Sequence, residues 1–85
     1  NNNPYFLIKG NRIIKLNIIK KIHLQFIIKN KYNKSCTCFA FNVVGTKLGD
    51  ILMNFKKDID FIVQINNKKI RKNSDFNLII KDAIV

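Results

Sequence analysis

Apolar and polar residues alternate with a period of two along most of this chain, and one segment departs to a helical period. Ile22, Leu24, Phe26 and Ile28 alternate with His23, Gln25, Ile27 and Lys29. Such a strand has one apolar face and one mostly polar face. Residues 36–44 predict a second strand, with Phe39, Phe41 and Val43 on one side and Cys36, Cys38 and Ala40 on the other. Because both of its faces are apolar, this strand is expected at the centre of a sheet. It pairs with the first as a hairpin across the polar residues 30–35.

The N-terminus starts as a loose polar end, Asn1-Asn2-Asn3-Pro4. Two β-rich runs, residues 5–9 and 12–16, then flank Gly10-Asn11. A Gly-Asn pair in that position predicts a two-residue hairpin, since glycine takes the positive φ of a primed turn without steric cost. Helical spacing is confined to Leu48, Ile51, Leu52 and Phe55, an i, i+3, i+4, i+7 stripe. Thr46 stands at the N-cap, Asp50 near the positive end of the dipole and Lys56-Lys57 at the negative end, so a helix is expected over residues 47–57. Phe61, Val63 and Ile65 alternate again and lead into Asn66-Asn67, a pair suited to a tight turn. Residues 68–72 read as a short basic strand or turn, and residues 73–75 as a loop. Residues 76–80 and 83–85 close the chain around Lys81-Asp82.

This order predicts an α+β fold, a small mixed sheet with one main helix. Residues 22–85 form the domain proper, and residues 1–21 a basic extension folded as an extra β-hairpin. Eighty-five residues fit one domain, and no repeat or linker divides it. A chain this short has a slight core, so a partner is expected to help hold it folded.

Charge changes the picture most. The chain carries a formal net charge of +11. Its five acids are all Asp (Asp50, Asp58, Asp60, Asp75, Asp82), so residues 1–49 hold nine Lys/Arg and no acid. An excess of this size repels itself unless a polyanion neutralises it, and nucleic acid is the common partner. Lys, Asn and Ile dominate the composition, and codon bias in an AT-rich genome accounts for part of the lysine excess. It explains the acid-free first half less well, because Asp codons can also be AT-rich. The same bias points to an organelle genome, mitochondrion or plastid, or to an equally AT-rich nuclear genome, and an organelle is the expected location.

No window approaches the ~20 apolar residues of a membrane span, and no signal peptide is visible. Cys36 and Cys38 are too close on one strand for an ordinary disulfide. They read as buried thiols of a reducing compartment rather than as metal ligands.

The segment Val63-Gln64-Ile65-Asn66-Asn67-Lys68-Lys69-Ile70-Arg71-Lys72-Asn73-Ser74, with the ending Lys81-Asp82-Ala83-Ile84-Val85, resembles a V-x-V-N-G-K-x-V … G-D-x-I signature. Two groups of small modules share it: the α-L RNA-binding motif of small-subunit ribosomal proteins, and the β-grasp group of TGS domains and sulfur carriers. Asn67 and Lys81 stand where those families have Gly. The α-L motif needs two helices before this strand, and there is room for one. The order of elements is similar to a β-grasp over residues 22–85, whereas the density of cations is similar to the RNA-binding family. The resemblance therefore implies a β-grasp-like module. A sulfur carrier would need a terminal Gly-Gly, and the sequence stops at Val85.

Catalytic chemistry finds little support. His23 is the single histidine, with no acid before Asp50 to orient it as a base, and it is expected to face solvent or RNA. Asp58 and Asp60 read as a loop after the helix, and the three glycines lack phosphate-loop spacing. A non-enzyme without cofactor, metal or small-molecule substrate is expected. The candidate RNA contacts are Lys9, Arg12, Lys15, Lys20, Lys21, Lys29, Lys31, Lys34, Lys68, Lys69, Arg71 and Lys72, which pair with phosphates as point charges. Tyr5 and Tyr32 could stack on bases, although aromatics in a small β domain more often belong to the core. The expected function is that of a structural RNA-binding component of a ribonucleoprotein, an organellar ribosomal protein contacting rRNA and neighbouring proteins. The alternatives are a non-catalytic interaction subunit of another large mitochondrial assembly, joined through a strand edge, and a sulfur-carrier-like protein lacking its tail.

Overall fold

The computed structural model describes residues 4–66 and 77–85. Its elements are β1 (Tyr5–Ile19), β2 (His23–Lys29), β3 (Ser35–Ala40), α1 (Lys47–Asn54), β4 (Ile59–Asn66) and β5 (Asn77–Ile84). The strands close into a barrel in the order β1-β2-β3-β5-β4. All neighbours are antiparallel except β3 and β5, which run parallel. A closed barrel with one short helix replaces the expected α+β, β-grasp-like mixed sheet.

The correction begins at Gly10-Asn11, which does not turn the chain. Gly10 does take a positive φ, +68°, but spends it on a bulge. Ile8 lies opposite Phe61 and Asn11 opposite Ile59, so two β1 residues face Asp60 alone. The Gly10 N–H donates to the Asp60 carboxylate at 2.9 Å. A second bulge leaves Ile14 unpaired between Ile13, opposite Ile28, and Lys15, opposite Ile27. Bulges bend a strand and increase its twist, which is what a strand needs to wrap a barrel. The 15 residues of β1 thus pair with β4 along their first half and with β2 along their second. That double pairing closes the sheet where an N-terminal hairpin would have left it open.

The tight turn falls ten residues later. Lys20 and Lys21 have φ of 52° and 67°, and the Ile22 N–H donates to the Ile19 carbonyl at 3.2 Å. Two positive-φ central residues make the primed hairpin turn that suits twisted strands, here without a glycine or asparagine to announce it.

The hairpin read from residues 22–44 is present as β2 and β3. Leu24, Phe26 and Ile28 point into the barrel, with Cys38 and Ala40 of β3, Phe61 and Val63 of β4, and Leu78 and Ile80 of β5. The Phe26 and Phe61 rings meet at 6.0 Å between centroids. Two rings fill much of so narrow an interior, so β3 contributes small residues there and turns its large ones outward. Phe39 is half-buried on the outside, and Phe41, just beyond the strand, is 49% exposed. The strand lies between β2 and β5, but its outer apolar face is not fully covered.

Helix α1 packs Leu52 into the core, with Leu48, Ile51 and Phe55 partly buried beside it. Thr46 caps it as expected, its hydroxyl oxygen accepting from the Gly49 N–H at 3.1 Å. The helix ends at Asn54, three residues short of expectation. Phe55 is already extended (φ −77°, ψ 128°), and its N–H closes the last turn on the Ile51 carbonyl. Lys56 and Lys57 therefore lie beyond the helix rather than on its final turn. Strand β4 carries the expected alternation, with Phe61 and Val63 buried. In β5, Lys81-Asp82 is not a turn: Ile80 pairs with Val63 and Asp82 with Ile62, so Lys81 is a bulge inside a continuous strand. The turn, strand and loop read over residues 67–76 fall outside the described residues.

Candidate functional site

The register of the three consecutive strands β1, β2 and β3 sets out one outer face row by row. The inward residues Leu24, Phe26 and Ile28 pair with Ile18, Leu16 and Ile13 on one side and with Ala40, Cys38 and Cys36 on the other. The alternate residues face out. They form the rows Arg12–Lys29–Ser35, Lys15–Ile27–Thr37 and Asn17–Gln25–Phe39. Ile19 and His23 form a fourth row, beside which Phe41 stands. These rows contain cations, amides, two hydroxyls and aromatic rings, and no carboxylate.

At the fourth row the rings make a platform. Phe39 and Phe41 are two residues apart on one face, with planes within 4° and centroids 6.0 Å apart. His23 meets Phe41 edge-on at 5.4 Å, and its Nδ1 accepts from the Asn42 N–H at 2.9 Å. The neutral ring then carries its proton on Nε2. His23 is thus fixed by backbone and ring, on the polar face expected of it. A cleft of about 170 Å³ opens on the outer face, lined by Lys15, Asn17, Gln25, Ile27 and Thr37 over the buried Phe26.

This wall is built wholly from the acid-free half of the sequence. Four of the five Asp lie among the described residues, all on other elements. Asp50 is in α1, Asp60 binds the Gly10 N–H, and Asp82 of β5 accepts from the Ala83 N–H at 2.8 Å. Asp58 pairs with Arg12 at 3.2 Å, both side chains well exposed. An ion pair this open to water contributes little and exchanges readily for another anion.

Of the cations read from the sequence, Arg12, Lys15 and Lys29 lie on the outer face, and Lys20 and Lys21 stand on the turn at its edge. The remaining described ones gather elsewhere. Lys31 and Lys34 belong to the β2–β3 loop, where the Asn30 carboxamide oxygen accepts from the N–H groups of Tyr32 and Lys34. Lys9 and Lys34 line an open cavity of about 600 Å³ at the mouth of the barrel, among Phe6, Ile8, Cys36 and Leu78. Lys68, Lys69, Arg71 and Lys72 lie outside the described residues. Tyr5 and Tyr32 are exposed rather than core, with Lys31 Nζ 5.3 Å from the Tyr32 ring centroid. Sequence reasoning missed Phe39, Phe41, Asn17, Gln25 and Thr37 as site residues. The usable signal was the alternation of small Cys38 and Ala40 with Phe39 and Phe41, since a narrow barrel admits the small set.

Neither Cys36 nor Cys38 is in a disulfide. The Cys38 thiol is pushed far above its ordinary range, first by burial and then by neighbouring Cys36. Among the described residues, no group of three or more His, Cys, Asp or Glu could hold a metal ion. No helix among them is long and apolar enough to cross a membrane.

A family model described as the RecJ OB domain matches residues 1–82. The chain belongs to the RecJ OB domain family. A five-stranded barrel is the architecture of that fold, which binds oligonucleotides or oligosaccharides on the face of its second and third strands and on the loops after the first and fourth. In this RecJ OB domain family member the described part of that region is the wall just built, with Lys20 and Lys21 as the first loop. The family and the closed barrel overturn the resemblance to β-grasp modules and to the α-L motif. What those share with residues 63–85 is turn chemistry, and here the Lys81 position is not a turn. No curated protein and no solved structure matches the chain.

Proposed function

We propose that this domain is a non-catalytic binding module for single-stranded nucleic acid, held across the outer face of β1, β2 and β3. One observation carries the reading: the face joins the parallel Phe39 and Phe41 rings to five nearby cations, in rows without a carboxylate. Phosphates pair with Lys15, Lys20, Lys21 and Lys29, and with Arg12 once it leaves Asp58, releasing counterions. Bases stack on the phenylalanine rings, which requires them to be unpaired. The fold supports nucleic acid in general. RNA as the strand, and an organellar ribonucleoprotein such as a ribosome as the host, rest on the charge excess and the composition. The interaction-subunit alternative drew on a free strand edge, and in the closed barrel every strand has a neighbour on both sides.

Fluorescence anisotropy with labelled RNA and DNA, single-stranded and duplex, tests this. Single strands are expected to bind more tightly than duplexes of the same sequence, with affinity falling steeply as salt rises. Equal binding of duplex and single strand would remove the stacking platform from the account. Tighter binding of DNA than of RNA would remove the ribonucleoprotein.

A further inference from the structure

We infer that the cavity at the mouth of the barrel is a binding site for a small amphiphile, an apolar chain that carries a single carboxylate. The site is separate from the outer wall of β1, β2 and β3. It is lined by the first half of β1, the β2–β3 loop and its flanks, the second half of β4 and the start of β5.

Among the described residues, Asn11 is the one buried residue with a polar side chain, 5% exposed in a core otherwise made of apolar groups. The bulge at Gly10 sets it there, opposite Ile59. Its carboxamide Nδ2 is shielded from water and has no hydrogen-bond partner. Folds seldom leave a buried donor unpaired, because nothing then replaces its hydrogen bonds to water. The side chain lines the cavity of about 600 Å³. The χ2 torsion of asparagine is soft, so a rotation about it presents the N–H to an acceptor seated in that space.

The rest of the lining restricts what carries the acceptor. Ile28, Val63 and Leu78, all buried, form the floor, and Ile8 and Ile65 stand partly buried beside them. Lys9 and Lys34 are exposed and supply the cations, and no carboxylate lines the cavity. Lys34 is held by its loop: its N–H donates to the Asn30 carboxamide oxygen at 3.1 Å, and its carbonyl accepts from the Asn30 N–H at 3.0 Å. A cationic ligand meets like charge here. A nucleotide suits the lysines, but its base edge carries several donors and acceptors that an apolar floor leaves unpaired. A carboxylate only accepts, so it suits the Asn11 N–H and the ammonium groups alike, while an apolar chain behind it covers the floor. The volume falls within the roughly 300–1,000 Å³ of small-ligand sites.

Isothermal titration calorimetry of the chain with acetate, hexanoate, octanoate and decanoate, each below its micelle-forming concentration, tests this. Decanoate is expected to bind one to one. From hexanoate to decanoate, affinity should rise about two- to fourfold per methylene, the upper figure marking full burial. Equal affinity for acetate and decanoate would reduce the site to two surface lysines and overturn the inference. Decanol and decylammonium should bind about tenfold more weakly than decanoate, and parity with either would also overturn it. Lys9→Gln with Lys34→Gln should bring decanoate down to the affinity of decanol and leave decanol unchanged. Asn11→Leu should weaken decanoate about tenfold while the melting temperature holds or rises, since Nδ2 gives up no hydrogen bond. Far-UV circular dichroism confirms that each variant is folded. Decanoate binding that is indifferent to both changes would lie elsewhere on the surface, and absence of decanoate binding would leave the cavity without this ligand; either overturns the inference. Both leave the nucleic-acid reading standing, because Lys9 and Lys34 are not among the five cations of the wall.

Discussion

Replacing Lys20-Lys21 by Asn-Gly is expected to make the domain more stable and a poorer binder. Both lysines are held at positive φ, 52° and 67°, in a turn closed by the 3.2 Å hydrogen bond from Ile22 to Ile19. A non-glycine residue in the left-handed region costs about 1 kcal/mol or more. Asn-Gly is the pair this turn prefers, and glycine returns part of the gain as unfolded-state entropy. A net gain of about 1 kcal/mol remains, which raises the melting temperature of a domain this size by about 4–8 °C. Binding moves the other way. The five cations of the wall predict a logarithmic salt slope of about −3.5 on a single strand, and losing two of them makes it shallower by about 1.4. At 0.1 M salt the same change lowers affinity about 25-fold. Thermal unfolding by circular dichroism and anisotropy titrations over a salt series measure the two halves separately. A variant that is less stable would refute the turn geometry. A variant with unchanged slope and affinity would show that the strand does not pass Lys20 and Lys21. Strain retained next to a binding surface is the usual sign of a stability–function trade.

Three further outcomes follow from the same geometry. Phe39→Ala should weaken single-strand binding by about 1–3 kcal/mol, the worth of one stacked base. Its salt slope should stay at the parent value, because no phosphate contact is lost; a changed slope in anisotropy titrations would contradict the separation of stacking from charge. Gly49→Ala should destabilise the fold by about 1–3 kcal/mol despite alanine's better helix propensity. The added Cβ would overlap the Val43 carbonyl oxygen and lie 2.8 Å from its carbon, and urea unfolding would show the loss. Cys38 makes stability depend on alkaline pH. Its thiol stays protonated in the fold far above the ordinary value near 9, while the unfolded chain loses that proton. Its contribution is complete below pH 9 and falls by about 1.4 kcal/mol per unit above it. Cys38→Ala should flatten that decline relative to the parent, and identical pH slopes in denaturant melts would place the thiol in water.

The hydrophobic pattern by itself determined where the strands β2 and β4 run, where β3 and α1 begin, and which residues of β2 and β4 form the core; β3 ends at Ala40, short of the expected residue 44. These follow from local periodicity and from one capping side chain, Thr46. The composition also determined the charge asymmetry, since residues 1–49 hold nine Lys/Arg and no acid. Three things were decided only by the tertiary structure. Gly10 supplies a positive φ that serves a hairpin turn and a bulge equally well, and pairing with β4 through Asp60 selected the bulge. That selection turned two short strands into one long β1 and an open sheet into a barrel. In β3, apolar residues occupy both faces, so periodicity alone assigns neither to the core. Closure around Phe26 and Phe61 left space inside for Cys38 and Ala40 and sent Phe39 and Phe41 out. The site followed from the same event: cations far apart in sequence and the Phe39 and Phe41 rings came to one wall because strands β1, β2 and β3 pair in that register.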